Sequence, residues 1–348
     1  ALHVAHPLGE RAALGFSLVS PFGLSTHWPS DSPLRYAGTL TEILTVVASP
    51  EIAGYLTDNL SIGVGLDLEW ARVTFNAVAG SPAELQFLQS QGGAVTPTTL
   101  DSLSENVGDS FGVGFHAGLL AFFNDTHTRI GLNFQSSVEH QFEGTSTLTG
   151  FLADPELTTN PDAIYQLHTL SSNPVRLPNI TTLSFYQDMT SQWTMLGSVV
   201  YTGWRVFKTT ELNNVAGVDA DTGEQIPITI IADQYYRDTW RFALGSRYDL
   251  NERWTFRLGG GFDQTPTQMA YRDGRLPDIN RWALSTGLHY QPRVSIGFDI
   301  GYVYLWGAGQ TPVHKTQIIN QKSSLKLDAW GRNHANLAGF QAVWRPLD

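Results

Sequence analysis

Charged side chains occupy the polar positions of segments in which polar and apolar residues alternate. Both signs of charge occur at these positions, so acids and arginines can form ion pairs across an enclosed interior. Nine residues make up this predicted interior polar network: Asp67, Glu69, Arg129, Glu139, Arg241, Arg257, Asp263, Arg281 and Asp299. We expect Asp299 to pair with Arg257 or Arg281. The arrangement predicts charge pairing inside a protein wall rather than bond-making chemistry.

The motifs of several enzyme classes are missing from the sequence. None of the ten histidines is followed two positions later by serine, the spacing that would place a nucleophile and its base on one face of a strand. No G-x-S-x-G, H-E-x-x-H or P-loop motif occurs. The glycine-rich stretch 257–263 lies within a strand pattern, so it does not predict a phosphate site. The chain has no cysteine. We predict a non-enzyme without cofactor or metal.

The alternating segments predict β-strands, because successive side chains of a strand point to opposite faces. In the segment 293–309, Val294, Phe298 and Ile300 share one face and Asp299 lies on the other. Many segments exceed the ten or so tilted residues that cross a bilayer. No apolar run is long enough for a transmembrane helix. Thirteen strands are predicted, at 1–7, 10–24, 40–56, 60–76, 110–123, 127–143, 175–188, 192–210, 233–250, 253–270, 280–290, 293–309 and 331–346.

The connections between these strands alternate strictly between tight turns and long loops. The long ones are predicted at 25–39, 77–109, 144–174, 211–232, 271–279 and 310–330. This sorting is typical of outer-membrane barrels, which have short periplasmic turns and long external loops. A soluble sandwich or barrel is the alternative, but in those folds nothing requires short connections at one end of the strands and long ones at the other. We therefore predict an all-β, antiparallel transmembrane barrel that forms a single domain over 1–348. The net charge of −11 argues against a nucleic-acid partner.

Several stretches resemble the FadL family of outer-membrane transporters. They are "VSPFGLSTHW" at 19–28, "YLTDNLSIGVGLDLEWAR" at 55–72, the "LP…W…YT.W" hairpin at 177–207 and, most specifically, "TP…R.LPD..R…GL.Y" within 259–290. The resemblance implies a 14-stranded barrel in the outer membrane of a Gram-negative bacterium. It also implies passive uptake of long-chain fatty acids, related lipids or aromatic hydrocarbons. The expected partners are a hydrophobic ligand (a fatty acid, detergent or hydrocarbon) and membrane lipid, and a monomer is favoured.

The resemblance implies one strand more than the thirteen that the pattern predicts. Residue 1 aligns with the second strand of the family, so the lumen-plugging hatch and the first strand have no counterpart here. Unpaired strand edges are not tolerated in lipid. We expect either that the sequence is part of a longer chain, or that residues 1–7 pair with 331–346 in an odd-stranded barrel.

The resemblance also implies a lateral opening where a strand kinks inward, and it points to Ser20, Pro21, Phe22 and Gly23. The residue types agree, because Pro21 has no N–H for the ladder and Gly23 tolerates unusual backbone angles. The alternative is that Pro21 and Gly23 merely end the strand at a loop.

The long loops carry apolar residues that are unusual for exposed segments. They are Leu85, Phe87, Leu88, Phe151, Leu152, Ile164 and Tyr165. By resemblance they form an extracellular hydrophobic groove that captures the ligand. The alternative is a small satellite core that only stiffens the loops.

Family members that transport fatty acids hold the carboxylate with two basic residues, and this sequence has no basic residue at either of the corresponding positions. The alignment places Ala77 and a residue near Ala232 at the two positions, and Arg72, Arg237 and Arg241 are only nearby substitutes. The absence of this basic pair modestly favours a neutral hydrophobic cargo. An aromatic-hydrocarbon channel and a general diffusion porin for polar solutes remain as alternatives.

Overall fold

A computed structural model describes residues 1–80, 82–92, 96, 98–156, 159–219, 222–320 and 323–344. It has one α-helix, α1 (Pro82–Ser90), and two short 3-10 turns, Phe151–Ala153 and Trp204–Val206. The strands are β1 (Leu2–Pro7), β2 (Ala12–Val19), β3 (Gly23–His27), β4 (Leu40–Thr57), β5 (Leu60–Ala79), β6 (Ser102–Phe123), β7 (Thr128–Gln135), β8 (Val138–His140), β9 (Glu143–Thr149), β10 (Ile164–Ser172), β11 (Val175–Leu177), β12 (Ile180–Asp188), β13 (Trp193–Thr202), β14 (Thr209–Val218), β15 (Gln225–Asp233), β16 (Thr239–Asn251), β17 (Trp254–Asp263), β18 (Arg281–Arg293), β19 (Ile296–Gly307), β20 (Thr311–Asn320), β21 (Ser323–Gly331) and β22 (His334–Trp344).

An antiparallel β-barrel wall is the main feature of the fold, as predicted. Its neighbouring strands run β1, β2 with β3, β4, β5, β6, β7, β12, β13, β16, β17, β18, β19 and β22. Counting β2 and β3 as one kinked strand gives the thirteen strands of the sequence prediction. β1 pairs with β2 and β22 pairs with β19. No ladder joins β1 to β22 among the described residues, so the expected pairing of residues 1–7 with 331–346 is not observed.

One face of the wall strands carries exposed large apolar side chains. On β19 the predicted series is exposed, including Ile300 at 58% and Tyr302 at 41%, and Leu244 and Leu258 on β16 and β17 are about 60% exposed. An outward apolar band of this kind matches a lipid-facing surface, with tyrosine and tryptophan near the strand ends. Among the described residues, no helix is long and apolar enough to cross a bilayer.

Most of the predicted long loops contain strands, which corrects the expectation that they are loops. β6 begins at Ser102, and β9, β10, β14 and β15 pair in that order beside its outer half. We call these paired strands the outer sheet. The 310–330 connection is the hairpin β20–β21. These segments were missed because they lie beyond the bilayer, where strands no longer need one continuous apolar face. The strand predicted at 253–270 ends at Asp263, before Pro266.

A short ribbon, β8 paired with β11, leaves the wall between β7 and the outer sheet. Gln135 pairs with His116, whereas Glu143 pairs with Asp109, so one side has an extra residue. This bulge reverses the alternation. Val138 and Phe142 are therefore buried, at 2% and 5% exposure, and not on the lipid face as their positions predict.

Glu139 lies between Val138 and His140 on β8, on the opposite face of the ribbon. Glu139 is half exposed and pairs there with Arg176 at 2.7 Å. Its partner is therefore a residue of the ribbon itself and not one of the other predicted network residues.

Candidate functional site

The β ladder is interrupted between β2 and β3, at the residues where the kink is predicted. Both strands pair with β4, but three residues, 20–22, separate Val19 from Gly23 where β4 has two. The Thr45 hydroxyl completes the break: it accepts a hydrogen bond from the Phe22 N–H (3.1 Å) and donates one to the Phe22 carbonyl (2.9 Å). A side chain thus replaces part of the ladder, as expected beside a proline that lacks an N–H. Gly23 has open space around it.

Phe22 connects the kink to aromatic residues from the opposite part of the wall. Its ring meets that of Trp204 edge to face, with centroids 5.7 Å apart. Trp204 contacts Tyr236 and Phe207, and the last two rings stack at 4.9 Å. We call these four residues the aromatic cluster. Its Phe207 also packs against the buried group Ala71, Val73, Phe142 and Val175. Burial raises the pKa of Tyr236, helped by the carboxylates of Asp273 and Asp278.

A large cavity lies against the inner surface of the strands from β7 to β22. Its volume is about 1610 Å³, larger than the 300–1,000 Å³ of ordinary small-molecule pockets. Polar members of its lining include Arg129, Arg241, Arg247, Arg257 and Arg281. We call this surface the open side of the lumen.

Most arginines of the open side are paired. Arg257 donates to Asp299 at 2.7 Å, as predicted, and His289 lies 3.0 Å from the same oxygen. Arg281 pairs with Asp263 at 3.0 Å and lies 3.7 Å from Asp278. Arg281 stands opposite Asp263, and His289 opposite Asp299, on adjacent strands, so the register of the sheet sets the geometry of these two pairs. Arg257 on β17 reaches across β18 to Asp299 on β19.

Two arginines of the open side lack a carboxylate partner among the described residues. Arg129 donates to the carbonyl of Thr126 and lies over the Tyr186 ring, 4.6 Å from its centroid. Arg241 stands opposite Asp263 in the register, but Asp263 is bound by Arg281. In the described part of the chain, no ion pair or hydrogen bond involves the Arg241 side chain.

The inner surface of β4, β5 and β6, with β8 packed over it, holds buried charges. We call it the packed side. Asp67, 2% exposed, accepts hydrogen bonds from Ser49 at 2.7 Å and lies 2.8 Å from His116 Nδ1. His116 Nε2 lies 3.2 Å from Glu51. The imidazole therefore bridges two carboxylates.

Glu69 and His140 form a second, deeper pair on the packed side. Both are fully buried, and His140 Nε2 lies 3.6 Å from Glu69 Oε1. Neither side chain makes a hydrogen bond within the described residues. His140 also stacks on Phe142. The ribbon β8–β11 therefore covers the predicted lumenal acid Glu69 and excludes it from the cavity.

The 264–280 connection, part of the stretch with the most specific family resemblance, forms a buried polar network. Thr265 donates to Asp278 at 2.7 Å. Arg275 crosses to the other half of the wall, where it donates to Thr41 at 3.0 Å. Burial lowers the pKa of Arg275, and the Asp273 carboxylate opposes this effect. The network fixes this connection against β4.

Most of the predicted groove residues lie together beneath α1. Leu85, Leu88, Phe151, Leu152 and Tyr165 belong to one hydrophobic cluster with Leu100 and Leu148. Phe87 and Ile164 instead remain exposed, at 61% and 66%. The geometry is that of a small core with two exposed apolar residues beside it.

Several residues of the site were not predicted, among them His116, His140, Trp204 and Arg275. The two histidines carried a weak signal, since each stands in an alternating segment. Nothing in the sequence indicated that the ribbon would bury His140. Among the described residues, no cluster of histidine and acidic side chains has the form of a metal site.

These features define a class, the outer-membrane β-barrel transport proteins. A sequence model described as outer membrane protein transport protein (OMPP1/FadL/TodX) matches residues 1–345. A long-chain fatty acid transport protein of Escherichia coli O6:H1 is 30% identical over 319 residues, which cover 88% of this chain and 69% of that protein. Outer membrane protein P1 of Haemophilus influenzae is 25% identical, covering 97% and 73%. The chain belongs to the OMPP1/FadL/TodX family.

Solved structures agree with the fold. A FadL homologue of Pseudomonas aeruginosa has a TM-score of 0.79 at 21% identity, covering 98% of this chain and 77% of that one. The Ralstonia pickettii toluene transporter TbuX has a TM-score of 0.64 at 18% identity, covering 98% and 80%. The chain is a member of a family of outer-membrane transport proteins and is located in the outer membrane, and the family's transport role supports a function other than catalysis.

Proposed function

We propose that the chain carries long-chain fatty acids or related hydrophobic molecules into the barrel and releases them sideways at the kink between β2 and β3. The observation that carries this proposal is the position of Phe22. It lies in the interrupted part of the wall and contacts Trp204 of the aromatic cluster. A hydrophobic molecule in the lumen would thus meet apolar rings where the β ladder is already broken.

The outer end of the proposed route begins beside α1. Exposed Phe87 and Ile164, backed by the hydrophobic cluster, form the surface for first capture. Exposed apolar residues on a rigid base are typical of binding surfaces. The cargo then enters the cavity of the open side. The functional unit is proposed to be a monomer, with lipid as its surroundings.

An uptake assay tests the proposal. The chain is expressed in a host that lacks its own fatty-acid importer, with growth on oleate as the readout. Growth is expected, and Phe22→Ala together with Trp204→Ala should change the rate several-fold while leaving the protein folded. If the host fails to grow on oleate while its uptake of toluene increases, the proposal of a fatty-acid transporter is rejected and an aromatic-hydrocarbon channel is favoured.

A diffusion porin is the second candidate, favoured by the charged lining of the cavity. Planar-bilayer recordings separate the two. The hydrophobic transporter should show no large steady conductance, because the aromatic cluster and the buried residues packed against its Phe207 narrow the lumen. A large ohmic conductance from the intact protein would support the porin.

A further inference from the structure

The ribbon β8–β11 is hydrogen-bonded as a sheet of its own, separate from the wall on both sides. The ladder of β6 with β7 ends at the pair His116–Gln135, and the ladder of β6 with β9 begins at the pair Asp109–Glu143. Between these two pairs, in the described part of the chain, no ladder connects β6 to β8. The ribbon instead folds inward, and its residues pack over Gly112 of β6.

This gap leaves part of one edge of β6 without a strand partner. Serine side chains close its two ends: the Ser136 hydroxyl accepts a hydrogen bond from the Phe115 N–H at 2.9 Å, and the Ser110 hydroxyl accepts one from the Gln141 N–H at 3.1 Å. Alternate residues of a strand direct their backbone groups to the same edge, so those of Val113 face the gap. The Val113 side chain is 59% exposed on the lipid-facing surface, where unpaired backbone groups are costly.

The segment that forms β8 is long enough to close the gap. Residues 136–142 stand opposite residues 110–115, seven against six, and a single bulge accommodates one extra residue. In that second position the ladder along β6 would run unbroken from β7 to β9. The inward position instead buries Val138, Phe142 and Val175. Each position satisfies interactions that the other gives up, which is the property of a bistable element.

Packing connects the inward ribbon to the kink. Phe142 and Val175 belong to the buried group against which Phe207 of the aromatic cluster packs. Phe207 contacts Trp204, whose ring meets that of Phe22 in the interrupted part of the wall. Movement of the ribbon towards β6 would therefore remove the packing that holds these rings at the kink.

The inward position is not locked by its buried charges. His140 on the ribbon and Glu69 on β5 are both fully buried, and neither makes a hydrogen bond within the described residues. Taking such a pair out of water costs much of what its attraction returns. Movement of the ribbon would separate the two side chains and let water reach the Glu69 carboxylate.

We propose that the ribbon β8–β11 is the gate for release at the kink. In the inward position it supports the aromatic cluster and keeps the exit closed, and in the position along β6 it frees the cluster to leave Phe22. A hydrophobic molecule that packs against the rings replaces the contacts of the ribbon, so cargo favours the second position. This inference rests on the proposed transport function and adds the element that controls it. Cargo rests on the open side in both positions.

A reversible disulfide tests the gate, because the chain has no cysteine of its own. A Cβ at Gly112 would overlap Val138 Cγ1, so Gly112→Cys together with Val138→Cys brings two thiols within bonding reach. Oxidation with copper phenanthroline should lower oleate uptake by cells roughly tenfold, and a reductant should restore it. Binding of oleate to the purified protein should change by less than about twofold, because the open side is not altered.

Ala53→Cys together with Gly63→Cys is the matched control. A Cβ at Gly63 would lie 3.3 Å from that of Ala53, and both residues belong to the wall strands β4 and β5. Uptake should be the same whether this disulfide is open or closed. Equal uptake by the oxidised and reduced forms of the Gly112–Val138 variant, with its disulfide verified by mass spectrometry, would overturn the gate. If the wild-type chain takes up no oleate, the transport function itself fails.

Thiol labelling gives a second readout that needs no disulfide. Val138 is 2% exposed with the ribbon inward, so the thiol of Val138→Cys should react slowly with N-ethylmaleimide. Saturating oleate should raise this rate at least about tenfold, because it favours the second position. Val313→Cys is the control, since Val313 is also buried, at 4% exposure, but lies on the hairpin β20–β21. A rate at Val138→Cys that oleate leaves unchanged, or an equal increase at both sites, would overturn the gate.

Discussion

The two sides of the lumen start from the same sequence pattern and end in opposite environments. On the packed side, Glu69 and His140 are fully buried and make no hydrogen bond within the described residues. On the open side, Asp299 and Arg257 form an ion pair beside a cavity of about 1610 Å³. Alternation alone places a charge on the inner face of the wall. Whether that charge meets water, ligand or protein depends on what folds over it.

The ribbon β8–β11 makes the difference, and glycines allow it to pack so closely. A Cβ added to Gly112 would overlap Val138 Cγ1 and lie 2.8 Å from the Glu139 carbonyl oxygen. On the open side nothing lies within 4 Å of such an atom at Gly301 or Gly339. The packed side is therefore a small hydrophobic core with trapped charges, whereas the open side is a surface.

The largest expected effect comes from His140→Leu. It leaves the Glu69 carboxylate buried without a partner, so the free energy of unfolding in lipid vesicles should fall by about 3–5 kcal/mol. Replacing both residues with leucine should recover most of the loss, because a buried pair can be exchanged for apolar residues at little cost. A loss below about 1 kcal/mol in the single variant would show that water reaches the packed side.

A smaller effect is expected from Gly112→Ala. The added methyl group overlaps Val138 and the backbone of β8, and overpacking of this kind costs about 1–3 kcal/mol. Gly339→Ala is the matched control on the open side, where the methyl group has free space. Urea unfolding midpoints should separate the two variants. Equal midpoints would contradict the close contact between β6 and the ribbon.

The smallest effect is expected from Asp299→Asn. Its partner Arg257 is half exposed to the lumen, so water can solvate the guanidinium that loses its partner. The free energy of unfolding should therefore change by less than about 1 kcal/mol. A loss as large as that of His140→Leu would mean that the open side is packed as well.

The alternation of residues predicted the wall, its thirteen strands and the ion pair of Asp299 with Arg257. These features depend on local periodicity and on register, both of which a sequence carries. The break at Pro21 was also predictable, because the missing N–H is a property of the residue itself. Its partners were not: Thr45 and Trp204 are distant in sequence, and only the folded sheet brings them to Phe22.

The ribbon shows why the rest could not be predicted. One extra residue between Gln135 and Glu143 reverses every side chain that follows. No residue type in this segment indicated the bulge, so Val138 and Phe142 were assigned to the lipid face although they are buried. The outer sheet was missed for another reason: its strands pack on each other beyond the bilayer and need no continuous lipid-facing pattern.

The central claim is that cargo occupies the open side of the lumen and not the packed side. A fatty acid with a photoreactive diazirine in its tail, bound to the intact protein and irradiated, tests this most directly, with labelled residues located by peptide mass spectrometry. We predict labelling on the inner faces of β16 and β17, at Ala243 and Gly261 and their neighbours, competed by excess oleate. Labelling of Asp67, Glu69 or the ribbon instead, or labelling that oleate does not compete, would contradict the account.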